Sequence, residues 1–114
     1  MGNITGFHAH VYYDADTKGP ANEVRDGIAR HFPEAALGRW HDNPVGPHPR
    51  GSYQIAFTPG IFGAIIPWLA TNRQGLTVFI HTETGDDLTD HTANAMWMGR
   101  METLDLSIFE KETE

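Results

Sequence analysis

The chain has 114 residues, a formal charge of −7 and no cysteine. Its length suits a single domain, residues 1–114, and its eight Lys and Arg, scattered singly, exclude a nucleic-acid partner recognised through a basic patch. Without cysteine there is neither a disulfide framework nor a thiolate site, so a metal would have to be held by His, Asp or Glu. The start lacks a basic stretch followed by an apolar run, and the longest apolar segment, Ile61 to Ala70, is too short for a bilayer and contains Pro67. The expectation is a soluble, cytoplasmic protein with no membrane partner.

In chain order, Thr5 to Tyr13 alternates, with Phe7, Ala9 and Val11 on one side and His8, His10 and Tyr12 on the other, which predicts a strand. Ala21, Val24, Ile28 and Phe32 recur at helical spacing and Pro33 closes the segment. Leu37 to His41 reads as a short strand, followed by the run DNPVGPHPRG from Asp42 to Gly51, whose three prolines and two glycines make it a loop. Ser52 to Thr58 alternates again, setting Tyr53, Ile55 and Phe57 against Ser52, Gln54 and Ala56.

Thr58-Pro59 then opens a second helix with the stripe Ile61, Phe62, Ile65, Ile66 and Leu69, kinked at Pro67 and ended by Gly75. Leu76 to His81 is a strand with Val78 and Ile80 opposite Phe79 and His81. Asp90 to Met98 reads as a short helix stopped by Gly99, and Thr103 to Phe109 as a last strand with Leu104, Leu106 and Ile108 inward. Glu110 to Glu114 are expected to be loose.

This order predicts an α+β fold of the ferredoxin-like split βαβ plan, an antiparallel sheet with both main helices on one face. Phe7, Ala9, Val11, Tyr53, Ile55, Phe57, Val78 and Ile80 would face the helices, and His8, His10, Tyr12, Gln54 and His81 would emerge together on the other side. That second face needs covering, and a homodimer through it is the expected cover.

Seven histidines in a chain of this length admit two readings. One is a metal pocket built on the sheet face, with the His48 loop entering at a sheet end. The other is a set of surface or hydrogen-bonded histidines without catalytic role; His8-x-His10 arises easily on an exposed strand, and no His-Glu-x-x-His signature is present. His31, at a helix end, and His41, before the proline loop, read as structural.

The segments HAHVYYD (His8 to Asp14), HDNPVGPHP (His41 to Pro49), PWLATNRQGLTVFIHTETGDD (Pro67 to Asp87) and DHTANAMWMG (Asp90 to Gly99) together resemble, in order and spacing, the motifs of the DOPA 4,5-dioxygenase family. The resemblance implies ring opening of a catechol such as L-DOPA by O₂ at non-haem Fe(II), with His10, His48, His81 and His91 as the family histidines. It implies His10, His48 and His81 as ligands of Fe(II), or of another divalent ion such as zinc in a purified protein. His91, or else His8, would be the acid/base, with Asp90 orienting His91. Thr82 stands where the family is expected to carry proline.

A two-histidine, one-carboxylate set would draw on Asp14, Glu83 or Asp90, and Arg39, Arg50, Arg73 and Arg100 are the candidates for a substrate carboxylate. Two other classes use the same face: a metal-independent enzyme of monooxygenase or isomerase type, and a non-catalytic dimeric ligand-binding module.

Overall fold

The computed structural model describes residues 3–109. Among them β1 (Gly6–Tyr12), α1 (Lys18–His31), β2 (Ala36–Leu37), β3 (Ser52–Phe57), α2 (Phe62–Asn72), β4 (Val78–Glu83), α3 (Asp87–Asp90) and β5 (Ala95–Met98) follow one another. The strands form one antiparallel sheet in the order β2-β3-β1-β4-β5.

The alternation expected of β1, β3 and β4 is what the packing uses. Phe7, Ala9, Val11, Tyr53, Ile55, Phe57, Val78 and Ile80 all belong to one core cluster, together with Ala21, Val24 and Ile28 of α1 and Ile65 and Leu69 of α2. Both helices therefore cover one face. Each fully buried aliphatic side chain contributes about 1.5–3 kcal/mol, and Ile28, Ile55, Ile65, Leu69 and Val78 are all fully buried. The two helices meet closely at Gly27, where a Cβ would stand 2.5 Å from the Trp68 ring, so only glycine lets that indole lie against α1. Pro59 begins a 3₁₀ turn that leads into α2, Pro67 lies inside the helix, and Gln74 and Gly75 turn the chain through positive φ into β4.

Two elements differ from the sequence expectation. Asp90 to Met98 is not a helix: α3 ends at Asp90, and Ala95–Met98 pairs with β4 as the edge strand β5. The segment has a β-compatible Ala-Met-Trp-Met run beside an unpaired strand edge, and ladder hydrogen bonds to β4 outweigh local helix propensity. Thr103 to Phe109 is not a strand: residues 101–106 are irregular and 107–109 helical. Instead of pairing with an edge of the sheet, this segment crosses the face opposite the helices. It is anchored there by Asp105 N–H donating to Pro47 O (2.9 Å) and by Arg50 on the Glu102 carboxylate (2.6 and 2.9 Å). Leu104 and Leu106 are half-buried, whereas Ile108, expected inward, is 41% exposed.

The same segment covers part of that face. His10, Tyr12, Phe79 and His81 are already buried within one chain, under the 41–51 loop and the 99–109 segment, so pairing with a twin is not what buries them. Residues 110–114, expected to be loose, lie outside the described residues. No helix among the described residues is long and apolar enough to cross a membrane.

Candidate metal centre

The pairing registers bring the histidines together. β1 is central, with His8 opposite His81 on β4 and His10 between Gln54 on β3 and Phe79 on β4. Because side chains alternate, all of these stand on the face away from α1 and α2. His8, His10 and His81 each offer one ring nitrogen, and the three lie within 4.8 Å of one another. His10 Nε2 and His81 Nε2 are only 3.1 Å apart.

Hydrogen bonds fix which nitrogens are free. His81 Nδ1 lies 2.9 Å from the carbonyl of Thr82, an acceptor only, so Nδ1 carries the hydrogen and Nε2 keeps its lone pair. His8 Nδ1 lies 3.1 Å from Glu83 Oε1, an ion-pair distance that does not by itself set the His8 tautomer. A histidine whose Nδ1–H is held by a carboxylate or carbonyl presents Nε2 as a ligand of defined orientation. Burial, and then the neighbouring imidazoles His48, His81, His8 and His91, hold the His10 pKa well below its ordinary value. Burial likewise lowers His81 and His48 to about 4. Neutral imidazole is the ligand form. Three neutral imidazoles without a thiolate suit Fe(II) and equally Zn(II).

His48 sits beside this group, its ring 4.2 Å from that of His10, with Nδ1 2.7 Å from the Tyr12 hydroxyl. A hydroxyl both donates and accepts, so this contact does not dictate the His48 tautomer. His91 stacks on His81 at 3.9 Å and on Phe109 at 4.4 Å. Its Nδ1–H donates to the carbonyl of Asp87 (2.7 Å), leaving Nε2 free.

The expected role of Asp90 in orienting His91 takes another form. Asp90 accepts hydrogen bonds from Thr82 Oγ1, Thr84 Oγ1 and Thr84 N–H at 2.6, 2.7 and 2.9 Å, and it is the Asp87 carbonyl that holds His91. Burial alone would raise the Asp90 pKa, but the bonds from Thr82 and Thr84 together outweigh it and lower the pKa.

Of the three carboxylates considered as ligands, only Glu83 reaches the histidines, at 3.1 Å from His8 and 3.6 Å from His81. Asp14 pairs with Arg50 instead. His31 packs against Trp68, and His41 forms a backbone bridge with Ser52 while lining the cleft beside His10. Tyr12 and Gln54 were placed on this face by alternation, but their contacts, to the His48 loop and across the β1–β3 ladder, carry no local sequence signal.

Beside the cluster opens a cleft of about 300 Å³ lined by His10, Gly38, Arg39, His41, Val45, Gly46, Pro47, His48, Ser52 and Gln54. A larger groove of about 670 Å³, near β5, is lined by Thr82, Thr84, Asp86, Thr89 and apolar residues and by no histidine. The smaller cleft is the one that meets the histidine cluster, through His10 and His48.

Fold and site define a small α+β protein with three buried or half-buried imidazoles able to take up a metal beside a small-molecule cleft. The family model described as the Dopa 4,5-dioxygenase family matches residues 7–108, and the chain belongs to that family. It is 32% identical over 112 residues to a protein of Amanita muscaria named DOPA 4,5-dioxygenase, covering 91% of this chain and 49% of the relative. It is 38% identical over 116 residues to an uncharacterised 21.2 kDa protein of Botryotinia fuckeliana, covering 92% and 63%. The chain thus spans less than two thirds of either relative. A crystal structure of a candidate dioxygenase from Nostoc punctiforme superposes with a TM-score of 0.91 at 46% identity, covering 97% of this chain and 95% of that one. The family and these named relatives support an enzyme of the dioxygenase class.

Proposed function

We propose that the chain is an extradiol-type dioxygenase that opens the ring of a catechol, L-DOPA or a related compound, with O₂ at Fe(II). The observation that carries this reading is the 3.1 Å approach of two neutral imidazole nitrogens, His10 Nε2 and His81 Nε2, on a buried sheet face beside a cleft. His10 and His81 hold the metal, and His8 completes the set. One of its ring nitrogens belongs to the same 4.8 Å group, and Glu83 Oε1 stands 3.1 Å from its Nδ1. In this reading His8 takes the ligand place that the family resemblance gave to His48, and His48 becomes a wall of the cleft.

Bound Fe(II) supplies a route for electron density from catecholate to O₂, which in its triplet ground state does not attack a closed-shell ring. The protein's own part is proton handling and exclusion of water. His91 Nε2, free because Nδ1 donates to Asp87 O, takes a catechol hydroxyl proton and returns it to the ring-opened product, in which both oxygen atoms of O₂ end. Phe79, with its ring centroid within about 6 Å of those of His10, His81 and His91, gives the cluster an apolar wall. We also read the β2-β3-β1-β4 order as the split βαβ plan, with β5 appended, in one domain.

The test is anaerobic loading with Fe(II), followed by oxygen uptake across a panel of catechols. A stoichiometric iron site, iron-dependent uptake and a yellow product are expected. A chain that binds no Fe(II) and consumes no O₂ with any catechol would overturn the proposal.

A further inference from the structure

The cleft is electrostatically unlike the rest of the chain. Fifteen Asp and Glu give the protein its −7 charge, yet among the described residues none lines this cleft, whose charged or titratable groups are Arg39, His10, His41 and His48. Of the four arginines considered for a substrate carboxylate, Arg39 is the one that lines it, whereas Arg50 and Arg100 border a different groove beside Tyr12 and Leu76. Arg50 is engaged by Glu102 and Asp14, and Arg73 donates to the Leu76 carbonyl, whereas Arg39 makes no ion pair among the described residues.

The backbone puts Arg39 at the far wall. Gly38 N–H donates to Gln54 O (2.8 Å), and Gln54 is the register partner of His10. Two interstrand steps, about 10 Å, therefore separate the His10 backbone from Gly38. A Cβ at Gly38 would meet Gln54 Cβ at 3.3 Å, so glycine here allows the chain carrying Arg39 to lie close against β3.

We infer that Arg39 is a specificity-determining residue that receives the side-chain carboxylate of the substrate, and that the substrate is a catechol bearing a carboxylate and no amine. A ring placed at the histidines directs a short acidic side chain toward the guanidinium, which can meet a carboxylate with two parallel hydrogen bonds. An α-ammonium group would enter a cleft lined by one cation, three imidazoles and no carboxylate, with like-charge repulsion from Arg39 and no ion pair to offset it. The inference rests on the proposed ring-opening activity for its kinetic test but not for its binding test.

The kinetic test compares 3-(3,4-dihydroxyphenyl)propanoate, L-DOPA and 4-methylcatechol on the Fe(II)-loaded protein. The first two differ only by the amine. The propanoate is expected to exceed both others in kcat/KM by on the order of tenfold or more. Arg39→Met should collapse the propanoate-to-methylcatechol ratio toward one, chiefly through KM, and Arg39→Lys should restore part of it. Equal or better use of L-DOPA, or an unchanged ratio in Arg39→Met, overturns the inference.

The binding test needs no iron or turnover: 3-phenylpropanoate, but not phenylalanine or 3-phenylpropanamide, should shift the backbone amide resonances of Gly38 and Gln54, and Arg39→Met should abolish the shift. If that selectivity is seen while no catechol consumes O₂, the dioxygenase reading fails and the acid site stands. If the acid and its amide behave alike, the acid site fails.

Discussion

The phenolic oxygen of Tyr12 lies 2.7 Å from Nδ1 of His48, joining the last residue of β1 to the proline loop across the histidine face. Both side chains are buried, and burial raises the phenol's pKa, so Tyr12 keeps its proton near neutral pH. Arg50 lies over the Tyr12 ring (5.6 Å) and is itself held by Glu102, which ties the 99–109 segment to the same place. Tyr12→Phe keeps the ring but leaves His48 Nδ1 without its partner. The expected result is a stability loss of about 1–2 kcal/mol, unchanged iron stoichiometry and turnover lower by about tenfold or more. Urea unfolding, iron titration and oxygen uptake measure the three separately.

The ligand set is open to direct titration. His10→Ala, His81→Ala and His8→Ala should each weaken Fe(II) binding by about 100-fold or more, whereas His48→Ala should retain the ion and lose turnover. Glu83→Gln, which replaces the carboxylate facing His8 Nδ1, should cost about 10- to 100-fold in metal affinity. Loss of iron in His48→Ala with retention in His8→Ala would return His48 to the ligand set.

Acid should unfold the metal-free protein early. His48 and His81 titrate near 4 when folded, lowered chiefly by burial, against an ordinary 6.5. Their folded pKa values are depressed, so above pH 6.5 both states are neutral and nothing is lost. As pH falls below 6.5 the unfolded chain binds protons that the folded one refuses, and stability drops until about pH 4. Each of the two costs about 2 kcal/mol between pH 7.5 and pH 5, and His10 acts in the same direction. Chemical denaturation of chelator-treated protein at the two pH values checks the slope, and a flat profile would contradict this account of the buried histidines.

Asp90 binds the turn after β4 together through Thr82 and Thr84. Asp90→Ala leaves those donors unmatched and should lower stability by about 2–4 kcal/mol. Iron binding should persist at low temperature, because no ligand is removed. A variant with unchanged melting temperature but lost turnover would instead make Asp90 an orienting group for His91.

Where the sequence misleads, the reason is tertiary. Met96 and Trp97 suit a helix or a strand by composition, and the unpaired edge of β4 selected the strand. Leu104 and Leu106 alternate as a strand would, but the segment is held to the 41–51 loop by Asp105 N–H on Pro47 O and Arg50 on Glu102, and its alternation half-buries the two leucines without ladder pairing. Conversely, His10 and Gln54 were expected on the same face of the sheet, and the β1–β3 register makes them direct partners.

By itself the sequence determined the α+β composition, the core side of each strand and the grouping of His8, His10 and His81 on the opposite side. Strand alternation is a local property, readable from successive residues alone. Only the tertiary structure decided that Glu83 stands beside His8, that Tyr12 rather than any neighbour in sequence holds His48, and that Arg39 is the arginine at the cleft. These contacts join residues on different strands or loops, and their partners are set by register, loop path and burial, for which no spacing along the chain stands proxy.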